Sequence, residues 1–243
     1  IKESVEATRT QLKKIAKATG VSLSLDGLPY ENLQARDRTS RVLATIASAL
    51  GATFTCNANK TETTVGYGTM YGDIAGALAA TADLWKHEVY ELAKDLDDFM
   101  GGGIIPREVF TVPPSAELSS AQDVTKGFGD PLIYPYHDYL FASWVQDTPL
   151  SLAEILECYE ECTLTKRLGA TVEVGTLFAD ADAFVADLER WWTLYRGLSI
   201  AKRVQAPPIL AAGPYPFGKY LEAQGEPRYS DRYLAKRKKL LKK

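Results

Sequence analysis

Residues 56–86 read CNANKTETTVGYGTMYGDIAGALAATADLWK, and the rest of the chain is organised around this stretch. A short run with β-branched residues, 52–55, precedes it and predicts a buried strand. Polar residues crowd together from Asn57 to Glu62, and four glycines follow between positions 66 and 76. Glycine lets a backbone approach a ligand closely, lysine suits phosphate and an acid suits a metal ion. From composition alone, a ligand-binding loop and a polar loop before a solvated helix are equally good interpretations.

The composition limits the classes of protein that the chain can represent. Its 243 residues are 46% hydrophobic, which is enough for one large domain or for a domain with an extension. The formal net charge of -3 argues against nucleic-acid binding by bulk charge, and the basic residues 236–243 favour a solvated helix end. No apolar run reaches the length of a membrane span, and no signal-peptide pattern occurs. The odd number of cysteines, three, indicates reduced thiols and a cytoplasmic protein.

The spacing of apolar residues predicts a helix-rich chain with few strands. The buried side of a helix over 30–50 is expected to carry Leu33, Val42, Leu43, Ile46 and Leu50. Asp83 is expected to cap a helix that runs to residue 100. The aromatic residues of 134–144 predict core or subunit packing, and Ser151 begins a capping box before a helix that carries Cys158 and Cys162. Further helices are predicted over 2–17, 181–203 and from about 231. This pattern predicts an α/β fold with helices on a parallel sheet.

Six motifs, in this order, resemble those of NAD+ synthetases, and most closely the synthetase domain of the glutamine-dependent enzymes. They are ENLQAR at 31–36, NKTE at 59–62, VGYG at 65–68, YGD at 71–73, PSAEL at 114–118 and KR…PP at 202–208. The resemblance covers essentially the whole chain. It implies an adenine-nucleotide α-hydrolase-like parallel sheet with helices, partial and helix-rich here, as in the ATP-pyrophosphatase group. It also implies that residues 1–243 form an N-terminally incomplete synthetase domain, with a C-terminal extension at 204–243.

The resemblance implies a reaction as well as a fold. ATP would adenylate the nicotinate carboxylate of nicotinic acid adenine dinucleotide (deamido-NAD), and ammonia from glutamine would then displace AMP to give NAD+. Adenylation supplies the leaving group that a carboxylate lacks, and Mg2+ and a lysine neutralise phosphate charge. ATP and Mg2+ are therefore the implied cofactors. A homo-oligomer with the dinucleotide near the subunit boundary is also implied, and neither nucleic acid nor membrane is an expected partner.

Two residues carry the implied catalysis. By resemblance, Glu62 is the Mg2+ ligand and Lys86 contacts the ATP phosphates. The alternative for Glu62 is an acid on a helix face. Lys86 falls in the first turn of a predicted helix, where a cation opposes the helix dipole unless an anion is bound nearby. This position favours the phosphate contact independently of the resemblance.

The other implied site residues bind the two nucleotides. Asn57 and Ser115 would contact ATP, together with Lys86, and the alternative for Ser115 is a turn serine. Arg36 and Asn32, on the same predicted helix, would contact deamido-NAD; a surface salt bridge is the alternative for Arg36. Lys202 would close over the dinucleotide, and an exposed lysine is the alternative.

The sequence departs from the family pattern at several positions. Asn57 stands where many members have threonine, and Met70 and Ala77 stand where the ammonia-dependent relatives have a lysine and an aspartate, so those two contacts are not expected. The family's phosphate-binding loop, Ser-Gly-Gly followed by Asp-Ser, does not occur, and Gly101–Gly103 does not replace it. The glutamine amidase domain is also absent from these residues. The sequence begins at Ile1 within a predicted helix, so we expect a piece of a longer protein that is inactive alone.

Two other functions fit the same residues. The chain could be a non-catalytic dimerisation or binding fragment, for which the missing loop and the aromatic segment 132–144 would be suitable. It could also belong to another ATP-pyrophosphatase ligase, such as a GMP-synthetase-like or tRNA-modifying enzyme. The coding sequence upstream and the selectivity for deamido-NAD would separate these alternatives.

Overall fold

The N-terminal part of the chain consists of three helices and a π-helical stretch. The structure is a computed structural model and describes residues 1–116, 125, 129–146, 148–217 and 229–242. Helix α1 spans Lys2–Thr19, α2 spans Leu28–Arg36 and α3 spans Ala44–Ala49, and a π-helical stretch, Asp37–Leu43, joins α2 to α3. We call α1–α3 and this stretch the front helices. Gly20 ends α1 in the left-handed conformation, as predicted.

The predicted burial of the second helix is wrong at three of its five apolar positions, although the segment is helical and Leu33 and Val42 are half-buried. Leu43, Ile46 and Leu50 are 44%, 51% and 75% exposed. Neither α1 nor α3 contains a buried residue. Helix α3 continues directly from the π-helical stretch, and its contacts are mainly the local ones with that stretch. Apolar spacing shows that a helix has an apolar face, but it does not show what lies against that face.

A small parallel sheet confirms the predicted α/β fold class. Strand β1, Thr55–Cys56, pairs in parallel with β2, Leu78–Ala79, and Ile209 adds a parallel bridge to Ala79. Helix α4, Lys60–Val65, lies in the connection from β1 to β2. The strand predicted at 52–55 begins only at Thr55, because residues 52 and 53 are exposed and have no strand partner among the described residues.

Helices α5, Lys86–Phe99, and α6, Glu108–Thr111, follow the sheet. The prediction that Asp83 caps α5 is wrong. Trp85 is the N-cap residue, and its backbone N–H donates to Glu88 Oε2 at 2.7 Å. Asp83 instead accepts hydrogen bonds from Lys60 Nζ at 2.7 Å and from the amides of Ala212 and Gly213 at 2.8 and 2.7 Å. A fully buried carboxylate needs such partners, and two of them lie about 130 residues away in sequence.

Six helices form the rear body of the molecule. They are α7, Tyr134–Val145; α8, Leu152–Glu160; α9, Leu164–Leu168; α10, Ala181–Arg196; α11, Leu198–Gln205; and α12, Asp231–Leu240. A 3-10 turn, Val174–Thr176, lies between α9 and α10. The core includes nine apolar side chains that are 0% or 1% exposed and come from three helices: Tyr136, Leu140, Phe141, Ile155, Leu156, Phe184, Val185, Leu188 and Trp191. The packing role predicted for the aromatic residues of α7 and the capping box at Ser151 are both confirmed.

Two helical predictions in the rear body need correction. The helix predicted over 181–203 breaks at Gly197, where a side chain would lie 2.7 Å from the carbonyl oxygen of Thr193. Helix α8 ends at Glu160, so Cys158 and Cys162 do not share a helix. Cys162 lies beyond the end in a left-handed conformation, with φ of 55°. The three cysteines are all unpaired.

The basic C-terminal residues form a packed helix and not simply a solvated end. Helix α12 lies against α8, and Tyr233 of α12 is buried and donates its hydroxyl to Glu189 of α10 at 2.8 Å. Arg232 pairs with Glu157 at 2.6 Å, and Lys239 pairs with Glu160 at 3.0 Å. The acids of the rear body therefore compensate part of the basic charge, and the absence of nucleic-acid binding stays a prediction.

The C-terminal residues also join the sheet. The predicted extension, 204–243, begins inside α11, and its Ile209 lies beside Ala79. The division of the chain into a domain and an extension stays a prediction. Among the helices that the structure describes, none combines the length and apolar character that crossing a bilayer requires.

Candidate functional site

A cavity of about 810 Å³ lies between α2, α4–α6 and α10–α11. Its lining includes every residue that the resemblance assigns to catalysis or binding: Asn32, Arg36, Asn57, Glu62, Lys86, Ser115 and Lys202. These seven residues come from five separate parts of the chain. The structure thus brings all of them together, while the role of each stays a prediction.

The start of α4 fixes one wall of the cavity. The Asn59 side chain accepts a hydrogen bond from the Glu62 amide at 3.0 Å, and Glu62 Oε2 accepts one from the Asn59 amide at 3.1 Å. This capping box satisfies two amide donors at the helix N-terminus and holds the Glu62 carboxylate. Gly66 ends α4 with φ of 65°, and a side chain there would lie 2.9 Å from the Ser199 backbone, so only glycine fits.

Glu62 and Lys86 face each other across this wall. Lys86 Nζ lies 3.7 Å from Glu62 Oε1, and 5.2 and 5.7 Å from the ring centroids of Tyr134 and Tyr90. Burial raises the pKa of Glu62, and the nearby Asp130 also raises it, against the opposing effect of Lys86. A further cation beside Glu62, in addition to Lys86, would offset the cost of ionising this buried carboxyl group. The arrangement can therefore hold a metal ion or a phosphate with its counterion.

Lys86 lies in the first turn of α5, as predicted, but the amides at the start of this helix are not free to bind a phosphate. The Lys86 amide donates to Thr61 Oγ1 at 3.1 Å, and the His87 amide donates to Asp138 Oδ2 at 2.9 Å. These first two amides of the helix are occupied by protein acceptors. A phosphate would therefore meet the Lys86 ammonium and not these amides.

Asp130 connects several parts of the site and was not predicted. Its carboxylate accepts hydrogen bonds from the hydroxyls of Tyr67 and Tyr134 at 3.0 and 2.9 Å, and from the Ala116 amide at 3.2 Å. Its own amide donates to the Pro114 carbonyl at 2.8 Å. Asp130 thereby holds the turn at 114–116 beside the cavity. Burial, followed by the charges of Glu62 and Asp130, strongly raises the pKa of Tyr134.

Ser115 reaches the cavity on this turn. The last two residues of its motif, Glu117 and Leu118, lie outside the described residues. Asn57 follows β1 directly, and its side-chain oxygen accepts a hydrogen bond from the Thr55 hydroxyl at 3.0 Å. The end of a parallel strand is a usual position for ligand-binding residues in α/β folds.

Asn32 and Arg36 lie on α2 and hold the loop after α4. Asn32 accepts a hydrogen bond from the Thr69 hydroxyl at 2.8 Å, and Arg36 Nε donates to the Met70 carbonyl at 3.0 Å. The Ser40 hydroxyl adds a bond to the Tyr71 carbonyl at 2.6 Å. Arg36 remains exposed, and its other donors can reach a ligand in the cavity.

Lys202 is not simply an exposed lysine, which was the alternative interpretation. Its ammonium donates to the carbonyls of Gly66 and Gly68 at 2.6 and 2.7 Å. Burial lowers the pKa of Lys202, and the charge of Asp73 opposes this shift. The side chain satisfies carbonyls at the end of α4, and it fastens α11 to the cavity wall.

The wall formed by α10 was missed by sequence reasoning. Arg190, Trp191 and Leu194 line it, and the Arg190 guanidinium lies 4.5 Å from the Trp191 ring centroid. An arginine directly before two tryptophans was the available signal. In the sequence, this run could not be distinguished from the pattern of an ordinary amphipathic helix.

The residues of this cavity fit a magnesium ion only in part. Among the described residues, no group of three or more histidine, cysteine, aspartate or glutamate side chains is arranged to hold a metal. Mg2+ at nucleotide sites commonly uses one or two carboxylates and takes its other ligands from phosphates and water. Glu62 is suited to be one such ligand.

Comparisons with known proteins agree with the resemblance. A family model described as NAD synthase matches residues 1–160. The glutamine-dependent NAD(+) synthetase of Synechocystis sp. is 47% identical over 96 residues, which cover 40% of this chain and 17% of that protein. The corresponding enzyme of Thermotoga maritima is 39% identical over 92 residues, covering 38% of this chain and 16% of that protein. The NH(3)-dependent NAD(+) synthetase of Helicobacter pylori strain P12 is 42% identical over 78 residues, which cover 32% of this chain and 26% of that protein. The chain thus matches only a minor part of each relative's length.

A solved structure supports the fold. The crystal structure of a glutamine-dependent NAD(+) synthetase from Cytophaga hutchinsonii matches with a TM-score of 0.58 and 17% sequence identity. The match covers 97% of this chain and 34% of that one. At this identity the likeness is evidence for the fold alone.

Proposed function

This chain belongs to the NAD synthase family, and from that premise we propose that it forms the synthetase part of an enzyme that converts deamido-NAD to NAD+. In the proposed reaction, an oxygen of the nicotinate carboxylate attacks the α-phosphorus of ATP and pyrophosphate leaves. Ammonia then attacks the carbonyl carbon of the mixed anhydride, loses a proton and displaces AMP. We propose glutamine as the source of ammonia and the cytoplasm as the location.

One observation carries this proposal. Seven residues that the family resemblance assigns to ATP and deamido-NAD, separated by up to 170 positions, line one cavity of about 810 Å³. A cavity of this size is in the range of small-molecule and cofactor sites. A polar loop or a set of unrelated surface residues would not converge in this way.

In the proposed site, Lys86 neutralises phosphate charge as pyrophosphate leaves ATP. The ring faces of Tyr134 and Tyr90 lie near its ammonium and hold it at the cavity wall. Glu62 would hold Mg2+, which, when bound, neutralises phosphate oxygens and orients them for in-line displacement. Asn57 and Ser115 would hold the remainder of ATP.

The dinucleotide would lie against α2 and α11. Arg36 has donors beyond the Nε–H that it gives to the Met70 carbonyl, and a guanidinium suits a diphosphate. Asn32 would complete this side of the site. Two donors of the Lys202 ammonium serve the carbonyls of Gly66 and Gly68, and we propose that the third serves the dinucleotide.

The test measures NAD+ formation from deamido-NAD, ATP, Mg2+ and ammonia by the natural polypeptide that contains these residues. Glu62→Gln and Lys86→Met should each lower kcat by about 100-fold or more, the usual cost of removing one group that stabilises transition-state charge. Glu91→Gln and Lys94→Met are matched controls, because both residues are exposed on α5 and neither lines the cavity. The controls should keep the activity of the parent protein.

Two results would contradict the proposal. One is a parent protein that binds neither ATP nor deamido-NAD, which would favour a binding fragment with another partner. The other is turnover of a different carboxylate in preference to deamido-NAD, which would indicate another ligase of the ATP-pyrophosphatase group. We also propose a homo-oligomer, and sedimentation velocity of the same preparation checks it.

A further inference from the structure

A buried carboxylate joins three elements behind the cavity. Asp138, on α7, is 0% exposed. Its Oδ2 accepts a hydrogen bond from the His87 amide at 2.9 Å and lies 2.8 Å from His87 Nδ1, so the imidazole carries a hydrogen on Nδ1 in this arrangement. Its Oδ1 accepts a hydrogen bond from the Thr61 hydroxyl. Asp138 thus contacts α4 and the start of α5 at the same time.

Thr61 extends this connection to the backbone of a cavity residue. Its side chain is also fully buried, and Oγ1 accepts the Lys86 amide at 3.1 Å while its hydrogen is donated to Asp138. The hydroxyl therefore acts as donor and acceptor at once. A chain of hydrogen bonds runs from the Lys86 amide through Thr61 to Asp138.

The connection ends at the two residues that face each other in the cavity. Glu62 directly follows Thr61 on α4, and Lys86 is the residue whose amide Thr61 accepts. The separation of 3.7 Å between Lys86 Nζ and Glu62 Oε1 depends on how α4 and α5 are fixed to each other. These two short segments are joined at this point through a carboxylate of a third helix.

We propose that Thr61 and Asp138 are positioning residues, which hold Lys86 and Glu62 in the geometry required for reaction at the ATP phosphates. This inference rests on the proposed function. Neither residue is among the cavity lining, so they act through Lys86 and Glu62 and not by contact with substrate. A buried charge is kept only where hydrogen bonds offset its desolvation, and here all its observed donors belong to the elements that it positions.

A series at α4 tests the proposal. Thr61→Val keeps the shape of the side chain but removes the hydroxyl, and Thr61→Ser restores the hydroxyl. Thr64→Val is the matched control, because Thr64 is equally buried on α4 but donates to the Lys60 carbonyl of its own helix, at 2.7 Å. All variants are made in the natural polypeptide and assayed at a temperature where each is folded.

A positioning role predicts a selective loss. Thr61→Val should lower kcat by about tenfold or more, since small misplacements of reacting groups are costly, and it should leave the KM for deamido-NAD within about twofold. Thr61→Ser should recover kcat to within about threefold of the parent, and Thr64→Val should keep it. Both valine variants remove a buried hydroxyl, so both are expected to lower the Tm.

His87 supplies a second test if Thr61→Val does not fold. Its side chain is 34% exposed, so His87→Leu removes one donor to Asp138 without opening the core. We expect kcat to fall about threefold, again with an unchanged KM for deamido-NAD.

The outcomes separate the two proposals. A parent protein that converts deamido-NAD, with Thr61→Val matching Thr64→Val in kcat, overturns the positioning role and leaves the proposed function intact. Failure of Thr61→Ser to restore kcat also overturns it. A folded parent protein without turnover of deamido-NAD overturns the proposed function and the positioning role together.

Discussion

The front helices and the rear body carry similar amphipathic patterns, but they are held in different ways. In the rear body, nine apolar side chains from α7, α8 and α10 are at most 1% exposed. In the front helices, α1 and α3 contain no buried residue. The front helices are joined to the cavity wall largely by hydrogen bonds, such as those from Arg36 to Met70 and from Ser40 to Tyr71. Apolar burial thus dominates in the rear body, whereas the front is held mainly by polar contacts, with Ala35 of α2 as its fully buried apolar residue.

The largest expected difference concerns ion pairs. Lys60→Met removes the ammonium that pairs with the fully buried Asp83, and it should lower the free energy of unfolding by about 3–5 kcal/mol. Arg9→Met in the front helices removes a pair with the exposed Asp26 at 3.9 Å, and it should cost less than about 1 kcal/mol. Urea unfolding of both variants measures the two values. Lys60 and Asp83 lie beside the cavity and not in the rear body, so equal losses would show that the exposed pair of the front helices is as strong as a buried pair.

A matched pair of leucines tests apolar burial directly. Leu188→Ala in α10 should cost about 3 kcal/mol, because Leu188 is 0% exposed and a cavity would remain. Leu50→Ala beside α3 should cost less than about 0.5 kcal/mol, because Leu50 is 75% exposed. Thermal unfolding followed by circular dichroism compares them. A large loss at Leu50 would show that this residue is covered in the protein in solution.

The smallest expected effect is a pH dependence in the front helices. Hydrogen bonds from Arg41 lower the pKa of Asp37 against the effect of burial. A lowered pKa in the folded state means that Asp37 stabilises the protein above its unfolded pKa, and that this contribution is lost as the pH falls through the folded pKa. Asp37→Asn should therefore lower the Tm at pH 7, by an amount equivalent to about 1 kcal/mol for a partly exposed pair, and this difference should shrink below about pH 4.

Asp26→Asn is the control for this effect, because the Asp26 side chain is 77% exposed. Its Tm should follow that of the parent protein at every pH. A difference between Asp37→Asn and the parent that stays constant from pH 7 to pH 3 would contradict the assignment of the effect to ionisation of Asp37.

The sequence predicted where most helices lie, but it did not predict which residues pack against them. Helix positions followed from apolar spacing and from end signals such as Gly20 and Ser151, which are local properties. The exposure of Ile46 and the pairing of Asp83 with Lys60 could not be predicted, because both depend on segments distant in sequence. The break at Gly197 was missed for a different reason, since a single glycine is tolerated inside many helices.

The cavity also contains residues that the sequence predicted and residues that it did not. Its seven predicted residues came from motif resemblance, which carries information about spatial neighbours that periodicity does not contain. Asp130 and Arg190 had no motif around them and were therefore missed. The buried contact between Thr61 and Asp138 spans 77 residues and needed coordinates to be found.

The contacts of Asp83 with Ala212 and Gly213 have a consequence for synthesis of the chain. Up to 130 residues separate these partners, and Lys202 also reaches back to Gly66 and Gly68. At translation rates of about 5–20 residues per second, synthesis of the residues between Asp83 and Gly213 takes roughly 6–26 seconds. During that interval the nascent chain exposes a half-built cavity and an unpaired sheet edge. These contacts of the cavity wall can form only after residues 202–213 have left the ribosome.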